Sequence, residues 1–145
     1  MNIIRTLATS LFILAGTATA QELYRATTES FRKIMGSRKE HTAFDTAVQD
    51  PTRTILIAKG AEDFTIGFPE EGETIYMRYV VKKKEKIKDK SDGTEYRSYT
   101  GYDDAGYPMV LYISKDETKG MLYYYYTANI DAFSKSEKIS IKRLK

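Results

Sequence analysis

Downstream of residue 50 the chain alternates apolar and polar side chains with a period of two. About every 10 to 20 residues a cluster of turn-forming residues breaks the run. Alternation at this period sends successive side chains to opposite faces of an extended backbone, so each run reads as a half-buried β-strand. Residues 53–59 (RTILIAK) put Ile55 and Ile57 on one face, and residues 63–68 (DFTIGF) gather Phe64, Ile66 and Phe68. Residues 73–88 form the longest run, with Ile75, Met77, Tyr79 and Val81 on one face and Tyr76, Arg78, Val80 and Lys82 on the other. Residues 94–102, 107–115, 121–127 and 138–144 continue the series. The breaks are Gly60-Ala61-Glu62, Pro69 to Gly72, Asp89 to Gly93, Asp103 to Gly106 and Asp116 to Gly120, rich in residues that favour turns. Asp92-Gly93 is a hairpin signal in its own right.

Connections this short favour antiparallel neighbours. The expected fold class is therefore all-β: an antiparallel meander forming a small lipocalin-like barrel or a strongly bent sheet. The stretch before residue 50 carries less pattern. Residues 22–33 fit a strand or a short helix, and Thr27-Thr28 favours the strand. Residues 41–48 read as a further strand, and residues 129–136 as irregular with room for one helical turn.

Residues 1–20 (MNIIRTLATSLFILAGTATA) have a different character. One cation, Arg5, precedes an apolar stretch centred on Leu11 to Ala15, and Ala18-Thr19-Ala20 is a small-residue cleavage signature. The stretch is too short and too interrupted to span a bilayer. It reads as a signal peptide cleaved after Ala20, leaving a single β domain over residues 21–145. The product is expected to be exported to the periplasm or the medium, with no transmembrane segment. The chain has no cysteine, which excludes disulfides, thiolate metal sites, cysteine nucleophiles and a lipid anchor on a cysteine after the leader. A net charge of +3 spread among 23 basic and 20 acidic residues is a mixed surface, without the clustered excess typical of nucleic-acid binders.

Candidate catalytic groups are sparse. The single histidine, His41, sits in the polar run Arg38 to Thr42, and no serine lies in a nucleophile-elbow motif. No metal or cofactor is expected. A carboxylate-dependent hydrolase would need two converging acids, for example among Asp103, Asp104 and Glu117, yet these sit at turn tips where aspartate is favoured locally. The Asp-rich loops lack the spaced ligands of a calcium loop. Lys82 to Lys90 holds six lysines. They would suit an anionic polysaccharide, lipopolysaccharide phosphate or a membrane surface, but the favoured reading is a protruding hairpin arm with charge on both faces, whose lysines protect a strand edge. Tyrosine is the compositional outlier: twelve residues, eleven of them between Tyr76 and Tyr126, with four consecutive at Tyr123 to Tyr126. Exposed tyrosines stack on sugars or dock partners, while inward ones simply pack. Tyr99, Tyr112, Tyr124 and Tyr126 are the candidate outward-facing binding set.

The stretch Thr54 to Ile57 through Phe64 to Ile66, the turn Tyr102 to Tyr107, the run Met109 to Ile113 and the Tyr123 to Tyr126 strand resemble small exported β-rich proteins of Bacteroidetes-type bacteria. The resemblance covers roughly residues 50–130. It implies export and a compact β fold, and carries no activity or site residue with it. The sequence thus points to an exported, non-catalytic binding protein. In one form a barrel holds an apolar or amphipathic small molecule, lined by Ile55, Ile57, Phe64, Ile66, Ile75, Met77, Met109, Leu111 and Met121. In the other the interior is filled and the tyrosines meet a glycan or an envelope protein.

Overall fold

The computed structural model describes residues 3–5, 21–33, 45–46, 52–125 and 135–145. Its strands are β1 (Ile3–Arg5), β2 (Glu22–Lys33), β3 (Asp45–Thr46), β4 (Thr52–Ile57), β5 (Asp63–Glu70), β6 (Glu73–Lys88), β7 (Glu95–Tyr102), β8 (Pro108–Ser114), β9 (Lys119–Tyr124) and β10 (Lys135–Arg143). From β4 to β10 each strand pairs antiparallel with the next. Strand β2 pairs with β4 on one side and β10 on the other, which joins the two ends of the meander. The result is a closed eight-stranded antiparallel barrel. The short β3 lies beside β2, and β1 lies beside β6 at Ile75 to Met77.

The strand reading of residues 22–33 holds, because β2 is hydrogen-bonded on both sides. Of the strand expected at residues 41–48, Asp45–Thr46 is extended and the remainder lies outside the described residues. The irregular reading of residues 129–136 is corrected at its end. Lys135 and Ser136 already belong to β10, opposite Tyr124 and Tyr123. Among the described residues the one helical element is the 3-10 turn Lys59–Ala61, and no helix is long and apolar enough to cross a membrane.

Alternation decides what fills the barrel. Ile55, Phe64, Ile66, Leu111, Ile113 and Leu122 have no exposed surface, and they close the middle of the interior together with Ile57, Tyr79, Met109 and Ile139. Burying side chains of this size stabilises a fold by about 1.5–3 kcal/mol each. Gly101 belongs to this layer because nothing larger fits. A Cβ there would lie 2.7 Å from the Cβ of Tyr79 and 2.9 Å from the Phe64 ring, which itself stacks on Tyr79. Met121 departs from the expected lining. It sits opposite Tyr112 on the outer face, where its sulfur accepts the Tyr123 hydroxyl.

Strand β6 bends the sheet. Its first half pairs with β5, and from Val80 onward it pairs with β7. A bulge between Val81 and Lys83 inserts one residue and reverses the phase of everything after it. Directly opposed residues of an antiparallel pair share a face. Lys84 opposite Tyr99 and Lys86 opposite Arg97 therefore turn to the inner side, and Lys83 and Glu85 to the outer. Lys84 reaches the carbonyl of Gly60 at 2.6 Å. The hairpin that follows turns at Gly93, whose φ of 75° is the left-handed conformation that glycine adopts freely.

Candidate functional site

The middle of the barrel is packed, but each mouth keeps a cavity. Register separates the two. On β4 the inward residues run Arg53, Ile55, Ile57; on β7 they run Arg97, Tyr99, Gly101 in the opposite sense. Arg53 thus marks one mouth and Arg97 the other.

The Arg53 mouth encloses about 460 Å3, walled by Phe68, Met77, Tyr79, Met109 and Tyr124, with Asp103, Tyr107 and Lys135 among the polar contributors. At its base lies Glu137, only 2 % exposed. Burying a carboxylate so deeply is costly unless donors replace water. Three do so: Arg53 Nη2 at 3.3 Å, Lys135 Nζ at 3.1 Å and the Tyr124 hydroxyl at 2.6 Å. The cations are held by rings as well as by charge. The Arg53 guanidinium stands 5.3 Å from the Phe68 ring centre and Lys135 Nζ 5.5 Å from that of Tyr124. Burial, then the neighbouring Glu137 charge, pushes the Tyr124 phenol well above its ordinary value, so it stays a donor. The site is an apolar chamber with a fixed polar base, suited to a molecule with a greasy body and one polar end.

The Arg97 mouth encloses about 630 Å3, and its lining is charged except at Ile87 and Tyr96. Arg97 donates to both Glu22 oxygens at 3.1 and 3.0 Å, to the Tyr24 hydroxyl at 3.0 Å and to the Tyr99 hydroxyl at 3.1 Å. Tyr24 donates to Glu117, which also accepts from Arg143 at 3.1 Å. Burial, then the bond to Glu117, raises the Tyr24 pKa. Partial burial works to raise that of Glu117, but the bonds from Tyr24 and Arg143 outweigh it and hold the carboxyl below its ordinary value.

The tyrosines divide differently from expectation. Tyr99 is buried and faces inward, because it opposes Leu111 on β8. Tyr124 also faces inward, opposite Met109. Tyr112 does face outward. Its partners there are Tyr96, with ring centres 6.2 Å apart, and Tyr123 at 5.2 Å edge-to-face. Tyr126 and His41 lie outside the described residues. The three carboxylates considered for hydrolysis are not brought together. Asp103 lines the Arg53 mouth and accepts the amides of Ala105 and Tyr107, each at 2.9 Å; Glu117 sits at the other mouth, and Asp104 is exposed. Among the described residues no three His, Cys, Asp or Glu side chains gather into a metal site.

Sequence reasoning passed over Arg53, Arg97 and Glu137. Their signal was present: each shares its two-residue phase with apolar neighbours, Arg53 with Ile55 and Ile57, Arg97 with Tyr99, and Glu137 with Ile139 and Ile141. A charge in phase with a core face must find a partner inside. Comparison with protein-family models, with curated proteins and with solved structures finds no match to this chain. Its function is therefore read from the two mouths alone.

Proposed function

We propose that this chain is an exported, non-catalytic binding protein that holds an amphipathic small molecule in the Arg53 mouth. The observation that carries the reading is the cavity of about 460 Å3 left open above a packed core, with Phe68, Met77 and Met109 in its wall and the Glu137 cluster at its base. An eight-stranded barrel has room for its own side chains or for one small ligand, and here the space is shared between them. The ligand's apolar body lies against the Phe68–Tyr124 wall, and its polar end meets Lys135 and the rim. Fluorescence titration with dansyl-undecanoic acid tests this. The wild-type protein should bind one molecule, and Met77→Trp, which pushes a bulkier side chain into the chamber, should weaken binding while the protein still folds. Undiminished binding by Met77→Trp, in a protein that still folds, would remove this reading.

The outer trio Tyr96, Tyr112 and Tyr123 supports a second reading, docking of a glycan or an envelope protein. Tyr112→Ala separates the two, since it leaves the chamber intact.

A further inference from the structure

The Arg97 mouth holds a charge surplus that its own ion pairs do not consume. Five cations and three acids line it. Each acid is engaged. Glu22 is 3.0 Å from Arg97 and 3.5 Å from Arg143, Glu117 is 3.1 Å from Arg143, and Glu95 is 3.5 Å from Lys115. Three cations thus answer three acids, and Lys86 and Lys88 remain over. Among the described residues neither is in an ion pair.

Both reach the cavity for one reason. The bulge after Val81 reverses the phase of β6, so Lys86 and Lys88 oppose Arg97 and Glu95 from the inner side of the hairpin. Without the extra residue they would point outward. Two ammonium groups two positions apart on one strand face sit about 7 Å apart at their backbones, a spacing that suits a ligand carrying more than one phosphate or sulfate. The concave wall excludes part of the solvent and concentrates their field. The arginines beneath are fixed by Glu22, Tyr24 and Glu117, so the floor stays in place while the lysines remain exposed and free to close on a ligand.

We infer that the Arg97 mouth is a second binding site, taking a multivalent oxyanion held between Lys86, Lys88 and the arginine floor. It is independent of the ligand proposed for the Arg53 mouth.

Isothermal titration of the full chain at low ionic strength tests it with two probes, tripolyphosphate and a sulfated heparin tetrasaccharide. At least one should bind with one-to-one stoichiometry, and the tighter of the two tells whether the oxyanion is recognised on its own or on a sugar. Lys86→Gln/Lys88→Gln should weaken that binding by about tenfold or more. The control Lys82→Gln/Lys83→Gln removes the same charge from the same strand but outside the cavity, and should weaken it by less than about threefold. Melting curves of both doubles should match the wild type, since all four side chains are exposed. Failure of both probes to bind the wild type, or equal loss in the two doubles, would overturn the site. Binding of dansyl-undecanoic acid should be untouched by either double, so the two mouths stand or fall separately.

Discussion

The two mouths of the barrel solve the same problem in opposite ways. Each carries inward-facing charge in a position that alternation reserves for the core. At the Arg53 mouth one carboxylate, Glu137, is almost fully buried and collects three donors. At the Arg97 mouth two carboxylates, Glu22 and Glu117, remain about a quarter exposed and share two arginines. The difference is solvent. Where water is excluded, a charge is tolerable only with a complete set of partners, and losing one partner strands the others. Where water enters, each contact is weak, and the network tolerates loss. The buried mouth can thus keep an apolar chamber with a rigid base, while the wet one keeps adaptable charge.

The largest expected effect would break this contrast if it failed to occur. Glu137→Ala should destabilise the fold by about 3–5 kcal/mol in urea denaturation, because it leaves Arg53 buried without its carboxylate. Glu22→Ala should cost about 1 kcal/mol or less. Equal losses at the two positions would mean that burial is not what distinguishes the mouths. A smaller effect concerns acid. The folded pKa of Glu117 is depressed, so its contribution is present above its ordinary value of 4.5 and is lost as pH falls through the lower folded value. Glu117→Gln should therefore lie below the wild type in stability at pH 7 and converge towards it on acidification, by about 1 kcal/mol or less in total. Parallel stability curves from neutral to acid pH would contradict that assignment. The smallest effect is that of salt. The cost of Arg143→Gln, about 0.5 kcal/mol or less at low salt, should shrink further in 1 M salt as screening grows, whereas the cost of Glu137→Ala should hardly change.

Much of the barrel was legible beforehand, but the sites were legible only in part. Residues 73–88 were read with the boundaries that β6 has, and the meander order follows from turns at Gly72, Gly93 and Gly106. The tyrosine strand was misread for a simple reason. Four identical residues carry no phase of their own, and Met121-Leu122 before them offers an apolar residue on each face. The phase is fixed across the sheet, where Leu122 meets Leu111 and Tyr124 meets Met109. Lys86 and Lys88 were read as part of a hairpin arm with charge on both faces, because no residue of the lysine run announces a bulge.

The amino-acid sequence by itself determined which segments are strands, where they turn and that neighbours run antiparallel, since alternation and turn chemistry act over two to five residues. The tertiary structure alone decided the rest. It closed β10 onto β2, set Glu137 against Arg53 from 84 residues away, turned Tyr99 and Tyr124 inward and rephased the lysines of β6. These features depend on which backbone hydrogen bonds form between distant strands, and a shift of one residue in that pairing exchanges the inside of the barrel for the outside.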